Sequence, residues 1–170
     1  MSTEIATFAA GCFWHIEEVF DKTPGVVSTR TGYIGGKRPD PTYANVCSGI
    51  TGHVEAVEVT FNPAKVSYEK LLGIFWNIHD PTTKDRQGLD VGSQYNSVIF
   101  YHSEKQRKAA SKSKSERQRS MERKIVTKIR KSSKFWPAEE YHQKYYKKQK
   151  KFKSIKKKVQ IPRIISKQPR

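Results

Sequence analysis

The sequence predicts an α/β protein: a two-layer sandwich in which helices cover a sheet. Three observations point there. Period-two alternation marks extended segments, the clearest being His53-Val-Glu-Ala-Val-Glu-Val-Thr-Phe61. Helical spacing of apolar residues falls between them, at Phe13, Ile16 and Phe20 and again at Leu71, Leu72, Phe75 and Trp76. The two kinds of segment alternate along 170 residues, a length that suits one domain and can bury a core.

The elements follow in order. Glu4–Ala10 reads as a short, mostly apolar strand that gives out at Gly11. A helix runs from Phe13 to Asp21, with Glu17, Glu18 and Asp21 expected opposite its apolar face, and Pro24-Gly25 ends it. Val26–Tyr33 reads as a second strand, with Val27, Thr29, Thr31 and Tyr33 on one face. Gly35 to Gly52 is predicted as a long loop carrying Tyr43 and Cys47; such loops in a compact domain are usually functional or mobile. After the strand His53–Phe61, Ser67 can cap a helix running to Ile78. His79 to Tyr95 is a second loop, and Ser97–Tyr101 a further strand. Ser103 with Gln106 resembles a capping box opening a basic helix over Glu104–Glu122. Ile125–Ile129 reads as an edge strand flanked by lysines, and Ala138–Lys148 as a short helix bearing Tyr141, His142, Tyr145 and Tyr146. The order β-α-β-β-α-β is that of a ferredoxin-like split β-α-β core, here with an added basic helix, an edge strand and a tail. Residues 1–150 are expected to form a single domain. Residues 151–170 are expected to be a lysine-rich tail, coil draped on the body or disordered.

Charge is unevenly placed. Residues 1–102 hold 8 Lys and Arg against 11 Asp and Glu, whereas residues 103–170 hold 25 against 5, and the whole chain carries +17. Such a field attracts polyanions and acidic proteins, so a nucleic-acid or acidic-partner binding module is a competing function. Nucleic-acid readers usually show a recognisable module as well as charge; none is visible, and a solvated lysine-rich exterior is the expectation. No apolar run reaches membrane-spanning length and no signal-peptide pattern opens the chain, so a soluble cytoplasmic monomer with no membrane partner is expected. Two cysteines, Cys12 and Cys47, are too few for a disulfide scaffold.

Cys12 falls at a strand-to-helix turn, ahead of free backbone N–H groups whose dipole favours a thiolate. Phe13 and Trp14 follow it directly and offer an apolar wall. The alternative is a buried structural cysteine. Glu55 lies on the apolar face of its strand with Val57 and Val59, where burial would raise its pKa and make it a proton donor near neutral pH. The alternative is a strand-end carboxylate that reaches water or a cation. A zinc site from Cys12, His15, Cys47 and His53 fits poorly, since Phe13 and Trp14 separate the first pair and the second gap is wide; no metal is expected. There is no phosphate loop of standard spacing and no local pattern for a Cys-His protease.

Several motifs then occur together: Gly11-Cys12-Phe13-Trp14, Gly32-Tyr33-Ile34-Gly35-Gly36, Tyr43 through Thr51-Gly52-His53-Val54-Glu55-Ala56-Val57, Phe75-Trp76 with His79-Asp80-Pro81-Thr82, Arg86-Gln87-Gly88 with Asp90, Gly92 and Gln94-Tyr95, and Pro137-Ala138-Glu139-Glu140-Tyr141-His142-Gln143. Over Ile5 to Tyr146 the chain resembles the A-type peptide methionine sulfoxide reductases. The resemblance implies that Cys12 attacks the sulfoxide sulfur and becomes a sulfenic acid, and that Glu55 protonates the leaving oxygen. It implies that Tyr43 and Tyr95 hydrogen-bond that oxygen, that Phe13 and Trp14 hold the S-methyl group, and that Asp90, His142 and Tyr145 orient substrate. The implied substrate is methionine-S-sulfoxide, free or in oxidised proteins, with no bound cofactor. An external thiol then recycles the enzyme: thioredoxin, glutaredoxin with glutathione, or a small thiol. The family often carries recycling cysteines near its C-terminus; no cysteine follows Cys47 here, which leaves direct external reduction or Cys47 itself as the recycling thiol. Asn96 stands where the family usually has arginine, a departure expected to loosen the local hydrogen bonds.

Overall fold

Strand β1 (Glu4–Ala10) lies mid-sheet, antiparallel to β3 (Val54–Phe61) on one side and to β6 (Ser97–Tyr101) on the other. β2 (Val26–Ile34) joins the far side of β3, giving the order β6-β1-β3-β2 of a split β-α-β core. β7 (Lys128–Lys131) extends one edge parallel to β6, and β8 (Trp136–Pro137) extends the other antiparallel to β2. This is the computed structural model of the chain; it describes residues 2–159, with side chains through 155.

Two helices, α1 (Phe13–Asp21) and α3 (Tyr68–Asn77), bury their apolar stripes on one sheet face. The Phe8 ring sits at the centre, stacked on Phe20 at 5.1 Å and on Phe75 at 5.3 Å. Rings so arranged add to the burial of their area. Ser67 caps α3 by accepting from the Lys70 N–H, as its position before the apolar run predicts. α4 (Glu104–Gln118) packs outside α3, where Trp76 Nε1 donates to Ser113 Oγ at 2.7 Å. A smaller cluster, with Ile34, Val54, Ala56 and Phe100, fills the opposite sheet face under Phe135. The upper half of β3 is therefore buried on both sides.

Several local expectations are corrected. A bulge between Val26 and Ser28 turns Val27 outward, while Thr29, Thr31 and Tyr33 face in. The loop 35–52 contains a one-turn helix, α2 (Tyr43–Cys47), held by a reciprocal box in which Thr42 and Asn45 each accept the other's backbone N–H. Glu17 is buried, because Phe13, Ile16, Glu17 and Phe20 share one helical stripe. α4 stops at Gln118, whose side chain folds back onto Met121, Arg123 and Ile125; Ala110 beneath it is fully buried. The edge strand begins only at Lys128, since the backbone N–H groups of Ile125 and Val126 are taken by Gln118 and Pro81. The helix expected over Ala138–Lys148 is instead a 3-10 turn at Glu140–His142, then α5 (Tyr145–Val159). The boundary expected at residue 150 thus falls inside a helix, and residues 151–159 are not coil; residues 160–170 lie outside the described residues.

Candidate active site

β1 ends at Gly11, whose φ of 96° turns the chain towards α1 and which has no room for a side chain against Gln87. Cys12 is the N-cap of α1, makes no side-chain capping hydrogen bond, and has the backbone N–H groups of Trp14 and His15 close enough to favour its anion. Even so, burial pushes the thiol up to about 11, against those two N–H groups and with help from the nearby charges of Glu55 and Asp90. The expected thiolate is corrected to a resting thiol. A helix terminus contributes about 0.3–1 kcal/mol, less than one pKa unit, and desolvating an anion outweighs it.

Glu55 is 2% exposed. The Phe13 N–H, next in the chain to Cys12, donates to its Oε1 at 3.2 Å, which fixes the carboxyl beside the thiol. Burial raises this carboxyl to about 7; the Phe13 N–H opposes the rise and the Asp90 charge adds to it. Tyr95 is pushed up to about 12 by burial and by the charges of Glu55 and Cys47, and burial also raises Tyr43. Both phenols are therefore neutral hydroxyls at physiological pH. Burial also pushes the Cys47 thiol up, Tyr43 and Gln94 oppose that rise, and both cysteines are free thiols. Asp90 is exposed in a hairpin formed by β4 (Arg86–Gln87) and β5 (Asp90–Val91) within the second loop.

The aromatic wall is assembled from both ends of the chain. Trp14 stacks on Tyr145 at 3.8 Å, and its Nε1 donates to His142 Nδ1 at 2.9 Å. That bond leaves the proton of the neutral imidazole on Nε2, and burial holds the His142 pKa down. Nε2 is buried without a partner among the described residues. The His142 ring also packs against Phe13 at 5.1 Å and Tyr43 at 4.6 Å.

Groups not singled out from the sequence hold this segment in place. Glu17 accepts from the Lys144 backbone N–H at 2.5 Å and from Thr29 Oγ1 at 3.0 Å, fixing Lys144 at φ 52°. Gln143 spans the Thr31 N–H and carbonyl, both at 2.9 Å. Glu139 accepts from the Tyr33 hydroxyl at 2.9 Å and the Tyr43 N–H at 3.0 Å, tying β2 and α2 to the same segment. Only the motif containing Glu139 and Gln143 hinted at them. His53 has its ring spent between the Gly36 N–H and the Arg38 carbonyl, so it shapes a loop and does not face the thiol. Asn96 does not loosen its surroundings: it accepts from the Asp85 N–H at 2.7 Å and donates to Asp85 Oδ1 at 2.8 Å.

These contacts join Phe13, Trp14, Tyr43, His142 and Tyr145 to one another with Glu55 held beside Cys12, and Tyr95, Cys47 and Asp90 lie near enough to be felt electrostatically at Cys12 or Glu55. A separate cavity of about 620 Å³, lined by Ile5, Phe61, Tyr68 and His102, contains none of them. A thiol beside a raised acid, with neutral hydroxyls near, marks a candidate reaction centre by chemistry rather than by cavity size.

Such a centre fits a thiol-dependent oxidoreductase, the class that comparison with known proteins shows. The family model described as peptide methionine sulfoxide reductase matches residues 4–168, and the chain belongs to that family; its activity is the reduction of methionine sulfoxide. It is 57% identical over 147 residues to the peptide methionine sulfoxide reductase MsrA of Methanothermobacter thermautotrophicus, covering 85% of this chain and 87% of the relative. Among solved structures it is similar to reduced Mxr1 of Saccharomyces cerevisiae, with a TM-score of 0.82, 38% identity and coverage of 86% of this chain and 85% of that one. A second structure of Mxr1, in complex with Trx2, matches with a TM-score of 0.61 and 27% identity over 84% of each chain. None of these likenesses favours the nucleic-acid module. Among the described residues no helix is long and apolar enough to cross a membrane.

Proposed function

We propose that the protein reduces methionine-S-sulfoxide, free or in oxidised proteins, by attack of Cys12 with Glu55 as proton donor, and so serves protein repair. The observation that carries this reading is the Glu55 carboxyl anchored to the N–H that follows Cys12. A sulfoxide oxygen leaves poorly unless protonated. A carboxyl near pH 7 holds a proton about half the time and can also take one back. In the step, the Cys12 sulfur bonds to the sulfoxide sulfur while Glu55 protonates the oxygen. Glu55 then recovers a proton from the thiol. The oxygen passes to Cys12 as S–OH and the sulfoxide sulfur, gaining two electrons, leaves as the thioether. Tyr43 and Tyr95, as neutral donors, stabilise charge on that oxygen. Phe13 and Trp14 receive the S-methyl group; His142 and Tyr145 hold the Trp14 plane, and Asp90 orients the rest of the substrate.

The sulfenic acid is a reversible oxidation state that a thiol reduces. The Trx2 complex of the yeast relative supports a thioredoxin-class reductant. Cys47, a free thiol in α2, is the candidate for an internal disulfide route. Cys12→Ser is expected to abolish turnover of methionine sulfoxide with dithiothreitol; retained turnover would refute the nucleophile. Mass spectrometry after one turnover without reductant separates the routes: a sulfenic acid on Cys12 supports direct external reduction, and a Cys12–Cys47 bridge supports the internal one.

A further inference from the structure

Large apolar side chains are exposed around the site on separate segments. Leu89 is 101% exposed and Val91 76%, flanking Asp90 in the β4–β5 hairpin. Tyr146 is exposed beside Tyr145, the ring stacked on Trp14, with centroids 5.7 Å apart. Tyr141 is exposed with its ring 4.1 Å from His142. Ile50 is exposed next to Gly49, which approaches Ser93 just beyond the hairpin. Single exposed apolar residues are ordinary, but several around one functional centre form a patch of the kind that binds a partner. The Gln87 side chain lies against Gly11, the residue before Cys12, and Gln87 pairs with Asp90, which places the hairpin at the rim of the thiol rather than on a remote face.

We infer that this apolar rim binds the residues flanking methionine sulfoxide in an extended polypeptide, and so selects oxidised sites set among apolar neighbours. The occupant follows from the family's described peptide substrate. A methionine sulfoxide seated at Cys12 brings the two residues on each side within about 7 Å of it along an extended chain, within reach of such a rim. Methionines of protein interiors have apolar neighbours, and these become accessible when a damaged protein opens. The inference rests on Cys12 being the nucleophile.

The test compares three substrates with dithiothreitol as reductant: N-acetyl methionine-S-sulfoxide, a peptide with the sulfoxide between leucine and phenylalanine, and one with it between glycine and serine. The wild type is expected to show a kcat/KM about tenfold higher for the apolar peptide, a ratio that burial of one or two side-chain carbons supplies. Leu89→Ser with Val91→Ser should lose most of that preference and reduce the N-acetyl substrate at the wild-type rate. A wild-type preference below about twofold, or an unchanged preference in the double variant, overturns the inference. So does a double variant that keeps its preference but slows only with thioredoxin, which would make the rim a reductant surface. Failure of the wild type to reduce even the N-acetyl substrate would bring down the nucleophile reading itself, together with the rim.

Discussion

Glu55→Gln separates the cost of this site from its use. In the fold the carboxyl is raised from its ordinary 4.5 to about 7 by burial. At about 1.4 kcal/mol per pKa unit, ionised Glu55 destabilises the fold by about 3 kcal/mol. The folded state binds more protons at Glu55 than the unfolded chain between those two values, so this group's contribution to stability is full below pH 4.5 and is lost as pH rises through 7. Glutamine cannot ionise. Whatever its effect at pH 4.5, the variant should gain about 3 kcal/mol on the wild type between pH 4.5 and pH 8, read by urea unfolding at each pH. Over the same range the wild-type rate should fall above pH 7, and the variant should lose most activity together with that limb. Parallel stability curves for the two proteins would refute the buried-acid reasoning. An unchanged pH–rate profile would remove the proton-donor role.

Other expectations rest on contacts away from the thiol. His79 is held neutral, its pKa lowered to about 4 by burial despite its bond to the Phe75 carbonyl. The folded state therefore binds fewer protons between pH 6.5 and 4, and stability should fall by up to about 3 kcal/mol as pH drops through that window. This opposes the Glu55 effect, so the wild-type curve should be nearly flat there and His79→Gln should tilt it, as thermal unfolding against pH would show. Glu17→Ala leaves the Lys144 N–H and the Thr29 hydroxyl without their acceptor and should cost about 2–3 kcal/mol in urea unfolding. It should also change the fluorescence of Trp14, and an unaltered emission would show that Glu17 does not hold the Tyr145 stack. Phe8→Ala opens the centre of the core and should cost about 3–5 kcal/mol; a loss under 1 kcal/mol would contradict the packing described.

Strands β1, β3 and β6 and helices α1 and α3 were readable from local periodicity, because each has one buried face and a repeat that matches its geometry. Cys12 and Glu55 were readable because a strand-to-helix turn and a carboxylate on an apolar face are local patterns. Legibility failed where the deciding partner lies far along the chain. Glu17 looks like a surface acid until Lys144, 127 positions on, fills its carboxyl. The bond between Trp14 and His142 spans 128 positions, and no spacing rule predicts it.

From its own residues, then, the chain determines which segments are helical or extended, where its thiol and acid fall, and that its charge lies in the last third. Packing alone decided that the thiol rests protonated, that the acid sits near neutrality, and that residues 138–145 close over the aromatic wall. Burial is set by what arrives from elsewhere in the chain, and desolvation, which dominates both pKa shifts, is a consequence of burial.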